Sequence, residues 1–229
     1  MTKLISISRV AGRDLAYLLT ILALGVLECA AWVAGLSIAA SLLVLIVGIP
    51  AWLVFVNVSR RTTGLARRVS AGYRGAPIPA AYREPAGGGL LARARLVTSD
   101  PQTWRDLRWM VLNSTIGVVL ASAAITVTGL AVEYIMTPAY YWALNDPGHQ
   151  YVTLNFGVYS VRSVGWAFVT TGLGVALLPV ALWLNHVVAA GHARLAARVL
   201  GPAARNWSPA ADADRETTRA ALPTVTGIV

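Results

Sequence analysis

Residues 15–58 read LAYLLTILALGVLECAAWVAGLSIAASLLVLIVGIPAWLVFVNV, with Glu28 as their only charge. About 20 apolar residues are enough to cross a bilayer. A single helix through this stretch would be about 66 Å long at 1.5 Å per residue, too long for any bilayer. The stretch therefore folds back on itself. Gly35 and Ser37 are the small residues near its middle, so the sequence predicts a hairpin with spans at about 15–35 and 38–58. Further apolar runs cover about 107–132 and 165–189. The expected fold is an all-α integral membrane protein, a bundle of four transmembrane helices.

Composition agrees. Of the 229 residues 56% are hydrophobic and 13% charged, against about 45–50% and 25% in soluble domains. This excludes an ordinary soluble enzyme and a chain disordered over most of its length. The net charge is +9. The basic residues lie between the apolar runs, which argues for membrane topology and against nucleic-acid binding. Cys29 is the only cysteine, so neither an intrachain disulfide nor a cysteine metal cluster is available. The first apolar run is too long for a cleavable signal peptide.

The arginines orient the bundle. Lys3, Arg9 and Arg13 precede the first run, nine arginines lie in 59–106, and five follow the last run. The segment 134–164 holds only Arg162. Cytoplasmic loops collect basic residues, so 59–106 and both termini are expected in the cytoplasm of a multi-pass cell-membrane protein, with 134–164 outside. Tyr134, Tyr140, Tyr141, Trp142 and Trp166 then suit the outer headgroup layer.

Two copies of one unit are discernible. Arg13-Asp14-Leu15-Ala16-Tyr17 recurs as Arg105-Asp106-Leu107-Arg108-Trp109, and Gly25 matches Gly117 at the same offset. Pro50 pairs with Pro179, Asn57 roughly with Asn185, and Leu65 to Val69 with Leu195 to Val199. Two spans per unit would give two parallel two-helix repeats. Asp14 and Asp106 are read as helix-start residues and their arginines as headgroup anchors.

Within the cytoplasmic loop, residues 60–72 form a basic amphipathic helix suited to anionic inner-leaflet lipids. Residues 73–89, with three prolines and a glycine triplet, form an extended linker, and 90–98 a short helix. Asp100-Pro101 is a helix start, cap then first residue. Outside, Asn145-Asp146-Pro147-Gly148 is a turn. Alternation of Val152, Leu154, Phe156 and Val158 with polar or small residues predicts a small β-like element capping the bundle.

Glu28 is the functional candidate within the membrane, because burying a carboxylate there is costly. Its expected partners are Thr126, Thr128 or another helix. Glu133, Tyr140, Tyr141, Trp142, Asp146 and Arg162 form an outer ligand-sensing candidate, with Arg162 pairing Glu133 or Asp146. Arg60, Arg61, Arg67, Arg68, Arg194 and Arg198 are candidate contacts to inner-leaflet lipids or a partner. His149, His186 and His192 are not at metal spacing. No nucleophile, nucleotide or metal motif stands out, so no catalytic residue, metal or cofactor is expected and the protein is not expected to be an enzyme.

Several pieces taken in order carry a resemblance. They are Arg13 to Leu19, Gly48-Ile49-Pro50, Pro77-Ile78-Pro79 with Tyr82-Arg83, Asp100 to Leu107, Pro138 to Trp142, and Leu200-Gly201-Pro202. Together they resemble the four-span sensor domain at the N-terminus of many actinobacterial sensor histidine kinases, over about residues 9–202. The resemblance implies perception of a signal across the membrane; it supplies no established binding residues. It also implies a helical linker and kinase core after the last span, whereas residues 203–229 are rich in Ala, Pro, Thr and Asp and lack a phosphoacceptor histidine region and ATP-binding glycines. The expectation is a stand-alone sensor, or a kinase without its output, with a disordered tail over 203–229. A non-catalytic sensor passing an envelope signal to a histidine kinase or other membrane protein is the first reading, with self-association as a further possibility. An accessory subunit of a transporter or envelope complex is the second, and a small-solute permease the third.

Overall fold

The computed structural model describes residues 2–43, 48–83, 89–144, 152–154, 159–161 and 163–202. Helices α1 (Thr2–Leu43) and α2 (Gly48–Arg74) form the first hairpin. A short helix α3 (Leu90–Ser99) leads into α4 (Pro101–Leu112). A π-helical turn, Asn113–Gly117, joins α4 to α5 (Val118–Leu144), and α6 (Val164–Leu200) completes the second hairpin. Between α5 and α6, strands β1 (Val152–Leu154) and β2 (Tyr159–Val161) pair antiparallel, with Thr153 opposite Ser160. The small β-element expected from the alternation is therefore present. Its turn at 145–148 and the tail 203–229 lie outside the described residues.

Three helices among the described residues are long and apolar enough to cross a membrane: Ser8–Leu42, Pro101–Tyr141 and Val164–Leu200. The expected fourth span is not among them. The reason is where the first apolar stretch divides. Helix α1 runs unbroken through Gly35 and Ser37 to Leu43, so the turn expected at 35–37 is not there. Gly35 instead serves packing: a Cβ there would lie 2.2 Å from the Phe55 ring. The apolar part of α2 is short, residues 48–58. The helix then continues through Arg60, Arg61, Arg67 and Arg68 to Arg74, so the amphipathic segment expected over 60–72 is the second half of α2. Pro50 sits in the first turn of α2, where a missing N–H costs little. Prolines lie inside helices at Pro138 and Pro179.

The start of α4 is as read. Asp100 caps it, accepting the Gln102 N–H at 3.0 Å, and Pro101 is the first residue. By contrast Asp14 lies a dozen residues into α1, well past its first turn. It is 1% exposed, as is Asp106. Neither serves a helix start; both are buried hydrogen-bond acceptors.

The packing does not establish the repeat. Asp14 meets His186 at 2.9 Å, while Tyr17 meets His192 at 3.0 Å. His186 lies about 21 Å along α6 from Leu200, at 1.5 Å per residue. Buried Asp14, Tyr17 and His192 and the exposed His186 thus meet where α1 and α6 cross. Matched segments still meet, since Ala66 and Ala196 share a cluster with Trp109, Ile78 and Leu200.

Small residues bring α5 and α6 together. Ala131, Ala167 and Ala181 are fully buried. A Cβ on Gly174 would lie 2.8 Å from the Ile135 nitrogen and 2.9 Å from the Ala131 oxygen. Close backbone approach of this kind is the usual basis of helix association in lipid. Large apolar side chains such as Val119, Phe168, Val169, Leu173 and Trp183 remain exposed on the outside of the bundle. Gly174→Leu is expected to destabilise the α5–α6 hairpin by about 1–3 kcal/mol, read as a lowered melting temperature in detergent.

Candidate functional site

Two polar networks lie inside the bundle. The first is a chain of side chains drawn from all four long rods. Asn113 Nδ2 donates to Glu28 Oε2 at 2.7 Å. Asn113 Oδ1 lies 2.9 Å from His192 Nε2. His192 Nδ1 lies 3.0 Å from the Tyr17 hydroxyl, which lies 3.1 Å from Ser70 Oγ. Glu28, Asn113, His192 and Ser70 are all buried.

The inventory of donors gives the chain a direction. Since the Asn113 amide nitrogen serves Glu28, its oxygen must accept, so His192 Nε2 carries the hydrogen. His192 Nδ1 then accepts from Tyr17, and Tyr17 accepts from Ser70. All donors point from Ser70 toward the carboxyl of Glu28.

Backbone features make room for the chain. The π turn begins at Asn113, where Ser114 and Thr115 turn their hydroxyls back onto the Val111 carbonyl at 3.1 and 2.7 Å. Such turns recur at functional sites. Two glycines stand where any side chain would collide. A Cβ on Gly117 would sit 2.3 Å from Asn113 Oδ1, and one on Gly25 would sit 2.6 Å from Val118. Trp109 packs edge-on against His192 with centroids 5.1 Å apart and lies close enough to act on the Glu28 carboxyl. Its Nε1 and Glu28 Oε1 are nonetheless both buried without a well-formed hydrogen bond. A side branch ends on Asp14, which accepts from Tyr73 at 2.7 Å and contacts His186. Burial, then the charge of Asp14, pushes Tyr73 up to about 12.

The second network gathers the arginine-rich ends. Asp106 of α4 pairs with Arg67 of α2, accepts Tyr82 at 2.5 Å, and accepts Thr63 at 3.2 Å. Arg67 also donates to Tyr82 at 2.8 Å and to the Leu200 carbonyl at 3.1 Å. Arg105 donates to the carbonyls of Val199 and Arg198 at 3.0 and 2.6 Å, and Gln102 reaches Leu200 at 3.4 Å. The last carbonyls of a helix have no partner within it. In α6 they are collected by side chains of α2 and α4. Burial, then the charge of Asp106, pushes Tyr82 up to about 12. A raised tyrosine value favours folding below its unfolded value near 10 and loses that contribution as pH rises through 12. Both tyrosines therefore remain donors at neutral pH.

Of the expected site residues, Glu28 lies at the accepting end of the first network. Its partner is Asn113; Thr128 instead accepts from Asn185 at 2.8 Å. Arg67 is buried in the second network, and Arg60 pairs with Asp100 at 3.4 Å. Arg61, Arg68, Arg194 and Arg198 have exposed side chains. The outer cluster is not assembled among the described residues. Glu133 receives Thr137 and Tyr140 on its backbone oxygen, and Tyr141 packs with Val161 and Ala167. The side chain of Trp142, together with Asp146 and Arg162, lies outside what is described. Sequence reasoning missed Tyr17, Ser70, Tyr82, Asn113 and the role of His192. The available signal was a lone Asn in an apolar run and a histidine one turn from basic residues.

The family described as "Putative sensor" matches residues 17–222. The chain belongs to this family, and the match takes in both networks. No curated protein and no solved structure matches it.

Asn113→Leu would strand both Glu28 and the His192 N–H. It is expected to cost about 1–3 kcal/mol for each orphaned group, and adding Glu28→Leu should recover part of the loss in a thermal double-mutant cycle. Arg67→Met is expected to cost about 3–5 kcal/mol by leaving Asp106 uncompensated. Arg67→Lys should fail to restore it, because three directed donors are needed.

Proposed function

We propose that the chain is a non-catalytic membrane sensor in which a change at Glu28 alters how the end of α6 is held. The observation that carries this reading is the directed hydrogen-bond chain through all four long rods, from the Glu28 carboxyl to Ser70. Trp109 joins it to the clamp on α6, touching His192 on one side and packing with Leu200 on the other. The sensor family supports the role. The partner is a histidine kinase or another membrane protein that reads the end of α6, and it engages the exposed Arg194 and Arg198. Self-association through the exposed apolar surface is compatible with this arrangement.

The arginine asymmetry supports placing 59–106 and the exit of α6 in the cytoplasm, against anionic inner-leaflet lipids. The N-terminus shares that side where α2 makes a fourth crossing, as its apolar residues 48–58 and the apolar run before them allow. It lies outside where the three apolar helices are the only crossings. A membrane-impermeant thiol label on Ser8→Cys, in a Cys29→Ser background, distinguishes the two.

The signalling reading is tested by hydrogen exchange of the full chain in bilayer discs. Glu28→Gln neutralises the end of the chain without changing its shape. Exchange in residues 196–202 is expected to rise by several-fold, while α5 beyond Thr128 stays unchanged. Unchanged exchange at the α6 end would remove the basis for the proposal.

A further inference from the structure

Beside the clamp lies a cavity of about 270 Å³ between α2, α3 and Arg83. Its polar wall is Asn57, Arg60, Arg83 and Arg93, and its apolar wall includes Leu53 and Val97. Arg60 is held ready. Its Nη2 donates to Thr103 at 3.0 Å and faces Asp100 at 3.4 Å. Its guanidinium lies 4.4 Å over the Tyr82 ring. Its Nε is nonetheless buried with no hydrogen-bond partner. Among the described residues neither Arg83 nor Arg93 makes a side-chain ion pair. The cavity thus gathers three cations near one carboxylate, Asp100, whose oxygens already receive Gln102 N–H, Arg83 N–H and Arg60.

The rim locates the cavity in depth. The Trp52 indole donates to Thr98 Oγ1 at 3.1 Å, and the Trp104 indole donates to the Thr98 carbonyl at 2.8 Å. Two partly exposed tryptophans meeting at one residue mark the headgroup level of a membrane. An arginine-lined cavity at that level, with an apolar wall, suits a phosphodiester whose acyl chains continue along α2.

We propose that this cavity binds the phosphate of an anionic inner-leaflet phospholipid, with the phosphate between Arg60, Arg83 and Arg93 and the first acyl carbons against Leu53 and Val97. The proposal rests on the cytoplasmic placement of 59–106, and on nothing about signalling. Because Tyr82 lies under Arg60 and also bonds Arg67 and Asp106, an occupied cavity would brace the clamp on α6.

The test is native mass spectrometry of the full chain, purified in detergent and mixed with phosphatidylglycerol or phosphatidylcholine. One tightly retained phosphatidylglycerol is expected. The exposed-site variant Arg83→Gln/Arg93→Gln should weaken its retention roughly tenfold, and Arg61→Gln/Arg68→Gln, on α2 and outside the cavity, should not. Equal losses in the two variants would mean diffuse surface attraction and would overturn the site. Inorganic phosphate added to lipid-free micelles separates the sources. If it raises the melting temperature as much as phosphatidylglycerol does, and Arg83→Gln/Arg93→Gln abolishes both effects, the lipid assignment is overturned in favour of free phosphate. These outcomes leave the Glu28 exchange experiment untouched, so the two readings fail separately.

Discussion

A charged side chain taken out of water must find its partners inside the protein, and Asp106 shows how much of this molecule answers to that demand. Its carboxylate is buried, and it is satisfied by Arg67 from α2, Thr63 from α2, and Tyr82 from the segment after α2. Arg67 in turn is shared with the end of α6. One carboxylate thereby brings together three helices and a loop. Such a pair need not add net stability over an apolar pair of the same shape, because desolvation offsets much of the attraction. What it does is exclude other arrangements, since any packing that separates Asp106 from Arg67 leaves a bare charge in a low dielectric.

The same demand explains why α1 and α6 cross as they do. The apolar faces of the helices are interchangeable, a ridge of valines and alanines fitting many neighbours. Asp14, Tyr17, His186 and His192 are not interchangeable, and they meet at one crossing. The chain of hydrogen bonds and the collected end of α6 are then parts of one arrangement. Polar groups set the geometry, small residues such as Gly117 and Gly174 admit it, and the exposed apolar surface faces lipid. Trp109, between His192 and Leu200, is the physical contact through which the two networks share a boundary.

Much of the architecture was legible because it follows from local rules. The apolar runs gave the long helices, Asp100-Pro101 gave the start of α4, and the alternation after residue 151 gave the outer strands. Glu28 stood out because a carboxylate in an apolar run has few innocent explanations. The turn at Gly35 was misplaced because glycine in an apolar run signals close packing as readily as reversal, and here Phe55 fills the space. The repeat records which segments are alike and says nothing of which face which, so the packing of the two halves was not legible from it. Asp14 and Asp106 looked like helix-start residues because their neighbours are arginines. Their tyrosine partners, Tyr73 and Tyr82, lie 59 and 24 positions away, beyond any local pattern. Asn113 was overlooked since one amide in 26 apolar positions does not disturb the periodicity.

The π turn at Asn113–Gly117 has a geometric consequence for the rod from Pro101 to Leu144. An α-helix advances about 100° per residue, and a π turn accommodates one residue more than an α turn. The rod is therefore two helices with different rotational phase, soldered end to end. The face that α4 shows to Arg67 and Leu200 is not the continuation of the face that α5 shows to α6. Were the extra residue to migrate along the rod, or the turn to tighten, α5 would revolve by about one residue's angle while α4 stayed anchored by Asp106. The phase change thus falls at Asn113, the residue that holds Glu28.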